Sequence, residues 1–178
     1  AVRSDQATSP STSSAVVTVL GCKTTPKLDL KILENGCGSQ TRDWSFRVVN
    51  RDSIPVTLSD LVVKIWVNEA GTVQGSGATG GPVSSAAGVY LYGSTAPSVS
   101  AVSMTTACTS PADRQANWQV QASVSDARTS PPGGGSWDFS YVRINRSDWA
   151  TIVDTDDFSR LVCDGAFHDD SHFALYYK

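Results

Sequence analysis

No stretch of this 178-residue sequence carries a helical hydrophobic period longer than a turn, whereas short runs of alternating apolar and polar residues recur along it. Alternation with period two sends successive side chains to opposite faces of a strand. It predicts strands over residues 14–20, 28–34, 44–50, 61–67, 88–92, 98–106, 117–124, 137–142 and 173–177. In 61–67 one face carries Val63, Ile65 and Val67 and the other Val62, Lys64 and Trp66. In 117–124 one face carries Trp118, Val120 and Ala122. In 137–142 the faces are Trp137, Phe139 and Tyr141 against Asp138, Ser140 and Val142. Punctuation comes from Gly36-Cys37-Gly38, from Ser53-Ile54-Pro55 and from the Pro131–Gly135 turn. Residues 69–87 are rich in Gly, Ser and Ala and have the composition of a long loop. Only two glutamates occur, Glu34 and Glu69, among abundant Ser, Thr, Val and Gly, which disfavours helices further. About nine or ten short strands between Gly/Pro turns give an all-β, two-sheet antiparallel β-sandwich. It forms one domain over 14–178, behind a flexible Ser/Thr/Pro-rich tail at 1–13.

A net charge of −3 argues against a nucleic-acid partner, which requires clustered Lys and Arg. No run reaches the ~18–20 apolar residues of a membrane helix, and no charged-then-apolar leader opens the sequence, which reads as already mature. Cys22, Cys37, Cys108 and Cys163 show neither CxxC nor zinc-type Cys–His spacing. An even number of widely spaced cysteines predicts two disulfides in a secreted protein, with three pairings open.

The most site-like stretch runs from Trp137 to Ser159. After its strand comes the polar segment Asn145-Arg146-Ser147-Asp148, which delivers Trp149, and then an acidic loop with Asp154, Asp156 and Asp157. An aromatic on a turn beside a carboxylate-rich loop is not what a strand core needs. The pattern R-x-N-[KR]-x-D-W, Arg143 to Trp149, followed by Asp156-Asp157-Phe158-Ser159, resembles the family 3 carbohydrate-binding modules of cellulose-degrading systems. The run FRVVNRDSIPVTLSDLVVKIWV, Phe46 to Val67, is similar to the same family, and the likeness extends over 28–178.

The resemblance implies a jelly roll and a non-catalytic secreted module that contacts a polysaccharide such as cellulose or a related β-glucan. It assigns Trp149 and Arg143 to a planar strip. An indole covers the apolar face of a pyranose, and a guanidinium donates in-plane to ring hydroxyls. Beside this stand two structural readings: Trp149 as a plug at the end of the sandwich, and Arg143 as the partner of a nearby carboxylate. The family's strip draws further residues from the loop after the long strand, and in this sequence 71–87 has no Asp, His or aromatic. The resemblance also implies a structural calcium, Ca²⁺, held by Asn68, the Val153 carbonyl, Asp156 and Asp157. Ala70 stands where a further Asp is expected, and Glu69, one position off, is expected to point away. Hard Ca²⁺ favours such a set of oxygens on irregular backbone.

Two features lie outside the family pattern. The strand at 14–20 is extra, and the family's final hairpin strand is missing after Lys178. Together they suggest an alternative: a structural surface protein that forms a homopolymer by exchanging strand 14–20 between copies. His168 and His172, four apart in a non-helical setting, read as a polar loop rather than a metal pair. The sequence carries no G-x-S-x-G and no Ser–His couple, so the expectation is that the chain is not an enzyme.

Overall fold

The computed structural model describes residues 26–37, 40–77, 90–92, 97–112, 114–130, 132–153 and 155–178. The expected tail 1–13, the strand 14–20, Cys22 and Asp154 lie outside the described residues, as does the part of the 69–87 loop after Gly77. The described strands are β1 (Leu28–Cys37), β2 (Thr41–Asn50), β3 (Val56–Thr57), β4 (Leu61–Val67), β5 (Val73–Gly77), β6 (Tyr90–Tyr92), β7 (Ser98–Cys108), β8 (Ala116–Ser123), β9 (Thr129–Ser130), β10 (Ser136–Arg146) and β11 (Ala174–Tyr177). A single 3-10 turn, Leu58–Asp60, leads into β4.

One sheet runs β1-β2-β10-β5 and the other β11-β4-β8-β7, with β3-β9 as a separate short ladder. All these pairings are antiparallel. The exception is β6, which runs parallel to β10 at Ser136–Asp138, the part of β10 that β5 does not reach. The two sheets enclose one core, in which Ile32, Trp44, Phe46, Val48, Val63, Ile65, Val120, Trp137, Val142, Ile144, Phe173 and Leu175 are buried. The antiparallel sandwich expected from the alternation is the architecture observed.

The strands differ in how plainly they alternate. β4 buries every second residue, with Val62, Lys64 and Trp66 turned partly to water. β2 is buried on both faces, because its outward residues are covered as well as its inward ones. Outside it, Asn35 donates to Ser45 Oγ at 2.7 Å, Arg47 forks onto Asp138 at 2.8 Å, and Phe167 lies under the Arg47 guanidinium. Among the described residues, the edge of β1 away from β2 is covered in part where Ile32 and His168 exchange backbone hydrogen bonds at 2.8 and 2.7 Å.

Three expectations are corrected. Gly36 and Cys37, expected in a turn, are strand, because β1 runs on to Cys37 through an irregularity between Glu34 and Gly36. Simple alternation fails in β10: its register shifts between Phe139 and Val142, so Val142 and Ile144 join Trp137 in the core. The loop composition of 69–87 conceals β5. Gly75 and Gly77 stand where β5 meets β7 across the sandwich. A Cβ on Gly75 would lie 2.6 Å from Val99 Cγ1, and one on Gly77 would lie 1.9 Å from the Pro97 carbonyl oxygen. Glycine is there because the neighbouring chain leaves no room.

Candidate functional site

The outward face of the five-stranded sheet carries a short polar platform near the end of β10. Register aligns Asp43 of β2, Arg143 of β10 and Ser76 of β5 in one row, and Thr41, Asn145 and Gln74 in the next. Arg143 makes a two-pronged bond to Asp43, Nε to Oδ1 at 2.5 Å and Nη2 to Oδ2 at 2.8 Å. A fork–fork pair of this kind holds the guanidinium flat and fixes its orientation. Asp43 is nearly buried while 45% of the Arg143 side chain remains exposed, so the planar group is pinned along one edge and still reaches solvent. The pairing reading of Arg143 is therefore observed, and it leaves that exposed surface available.

Trp149 sits on the turn that follows. It is 57% exposed, which corrects the reading of it as a plug. Its φ of 54° makes it the one non-glycine residue in the left-handed region among the described residues. A side chain there costs roughly 1–2 kcal/mol, so the surroundings must hold it. The Trp149 N–H donates to the Arg146 carbonyl at 3.0 Å, and Gln40 donates to the Trp149 carbonyl at 3.1 Å. Arg146 forks onto Asp148 at 3.1 and 2.7 Å, and Asp148 also accepts the Ala150 N–H at 3.1 Å. The hydrogen bonds from Arg146 hold the Asp148 carboxyl below its ordinary range. This small scaffold fixes an indole that is more than half exposed.

Behind the platform lies a buried ionic cluster. Arg42 faces inward from β2, and its side chain is 2% exposed. Its Nε and Nη2 donate to the two carboxylate oxygens of Glu34 at 2.8 and 3.1 Å, its Nη1 donates to Asp157 Oδ2, and its Nη2 also reaches the Ser159 carbonyl at 3.4 Å. The other Asp157 oxygen accepts the Asn68 N–H at 2.5 Å, and Asn68 Nδ2 donates to Asp156 at 2.8 Å. Glu69 turns inward and is buried, contrary to expectation. Its Oε1 has no hydrogen-bond partner among the described residues. Burial, and then the charge of Asp157, push its carboxyl up to about 7, against the pull of Arg146, Arg42 and the Val153 N–H.

The residues expected to hold calcium are thus brought together, but they do not fit the ion. Ca²⁺ takes about six to eight oxygens at roughly 2.3–2.6 Å. Asp157 already has one oxygen on a guanidinium and the other on a backbone N–H. Asp156 accepts from the Asn68 amide, and the Val153 N–H is directed to Glu69. Among the described residues no three acidic, histidine or cysteine side chains form a metal-binding group. His168 and His172 follow the polar-loop reading, each with its own carboxylate, Asp164 at 2.8 Å and Asp170 at 2.7 Å. Among the described residues Cys163 is disulfide-bonded while Cys108 is free and exposed, so the expectation that all four cysteines pair is not met at Cys108.

Of the platform, reading the sequence finds Trp149 and Arg143 and misses Asp43, Gln40, Gln74 and Ser76. Asp43 lies one residue before the strand expected over 44–50. Gln74 and Ser76 sit in a segment whose glycines suggest a loop. Their alternation with Gly75 and Gly77 was the available signal.

No curated protein matches the sequence significantly. Solved structures do match in fold. A carbohydrate-binding module of Ruminiclostridium thermocellum aligns with a TM-score of 0.66 at 16% identity, covering 84% of this chain and 93% of that one. A family 3 module of Hungateiclostridium clariflavum aligns at 0.65 and 18% identity, covering 85% and 93%. The family 3a carbohydrate-binding module from the cipA scaffolding of Clostridium thermocellum aligns at 0.60 and 16% identity, covering 84% and 95%. At these identities the likeness shows the jelly-roll sandwich alone. The cellulose binding domain family matches residues 27–178. The chain therefore belongs to the family 3 carbohydrate-binding modules, which are non-catalytic binding domains.

Proposed function

We propose that this module is exported and binds cellulose or a related β-glucan through Trp149 and Arg143, with Asp43 holding the guanidinium in plane. The observation that carries the reading is Trp149: an indole kept exposed on left-handed backbone, at a cost in stability, is there to meet something outside the molecule. The flat Arg143–Asp43 pair and the outward Gln74 and Ser76 supply polar groups suited to sugar hydroxyls. The disulfide at Cys163 is in keeping with export. No described helix is long and apolar enough to cross a membrane. A structural calcium is not part of this reading, since the oxygens assigned to it bond Arg42 and Asn68.

Binding to a panel of insoluble polysaccharides tests the proposal. Retention on microcrystalline cellulose or another β-glucan supports it, and no retention on any member refutes it. The strand-exchange alternative rests on residues 14–20, outside the described residues. Size exclusion of the protein with and without residues 1–20 decides it: a monomer in both cases removes it.

A further inference from the structure

We infer that the Arg42 guanidinium is a built-in cation occupying a latent divalent-metal site, so that this module needs no calcium. The cluster draws on four separate parts of the chain. Glu34 lies near the end of β1, and Arg42 near the start of β2. Asp157 and Ser159 lie in the loop after β10. Asn68 follows β4 and joins through Asp157. These segments belong to both sheets, and the cluster ties one end of the sandwich together.

A guanidinium can do this because its donors are fixed in a plane and point in several directions. One edge spans Glu34 while Nη1 reaches Asp157 and Nη2 the Ser159 carbonyl. The acceptors around it are two carboxylates and a main-chain carbonyl, the oxygen types a hard cation takes. Side-chain exposures of 2% for Arg42, 1% for Glu34 and 0% for Asp157 leave no water to neutralise any of them. Buried carboxylates so placed require a positive charge, and the chain supplies its own. The indole of Trp44 adds to this, with the Arg42 guanidinium carbon 4.8 Å from the ring centre.

Thermal melts of the whole chain, in excess EDTA and in millimolar calcium, test the inference. A module that bound calcium at about a hundred times its dissociation constant would melt roughly 5–11 °C higher in calcium. The parent protein is expected to melt at the same temperature in both, and a calcium-dependent rise would overturn the inference. Arg42→Ala is expected to melt roughly 6–20 °C lower in EDTA and to recover part of that loss in calcium, which then enters among Glu34, Asp157 and the Ser159 carbonyl. An unchanged melting temperature, or an equal loss with and without calcium, would overturn it. If Arg42→Ala does not fold, Arg42→Lys replaces it. That variant keeps a charge but cannot span the three acceptors, and it is expected to melt lower than the parent; stability equal to the parent's would count against the assigned role.

Discussion

Trp149 and Arg42 are opposite solutions to placing a costly side chain. Trp149 is a large apolar group left in water on a backbone conformation that favours glycine. Arg42 is a charge sealed in the core and matched on every side. Replacing the first affects binding, and replacing the second affects folding. Trp149→Gly removes the left-handed penalty and is predicted to raise stability by about 1 kcal/mol, seen as a rise of roughly 2–4 °C in Tm. The same protein is predicted to lose retention on polysaccharide. A lower Tm for Trp149→Gly would mean that the indole packs against the module instead of facing outward. Asp43→Asn is predicted to weaken binding while leaving Arg143 in place. The fork loses its ionic character, so the guanidinium is free to leave the plane, and a binding isotherm on cellulose that matches the parent's would contradict this.

At the scale of elements, β5 carries the sharpest prediction. Gly77→Ala would put a Cβ 1.9 Å from the Pro97 carbonyl oxygen, a backbone atom that cannot swing aside. A loss of about 2 kcal/mol or more is predicted, read as a lower denaturant midpoint, together with weaker binding as Gln74 and Ser76 shift away from Arg143. The strands that face water on one side were legible in the sequence: Val63, Ile65 and Val67 of β4 and Val120 and Ala122 of β8 alternate as the sheet buries them. Two elements were not, for different reasons. β5 is built from the glycines that normally mark a loop, because β7 crowds it. β10 changes face at its bulge, and no local signal in Trp137–Val142 announces the shift. Trp149 and Arg143 were singled out through the family resemblance of 143–149, and the structure adds that both side chains reach solvent.

Across the whole molecule, the contacts that join distant segments are the ones the sequence could not display. Glu34, Arg42 and Asp157 are three ordinary charges in three separate stretches until the sandwich brings them together, and Asp43 becomes a platform residue only once β2 lies beside β10. The family resemblance suggested calcium among Asn68, Val153, Asp156 and Asp157, and Asp157 is the residue shared with this cluster. The chain answers with an arginine eight residues beyond Glu34, and the predicted indifference to EDTA follows. Binding, however, is assigned to the outward face that carries Trp149 and Arg143. The most direct test is a depletion isotherm on microcrystalline cellulose, run for the parent and for Trp149→Ala with Tm measured alongside. The parent is predicted to partition to the solid, and Trp149→Ala to bind about 30-fold more weakly, a loss of about 2 kcal/mol, with its melting temperature essentially kept. Equal retention of the two proteins at equal stability would contradict it.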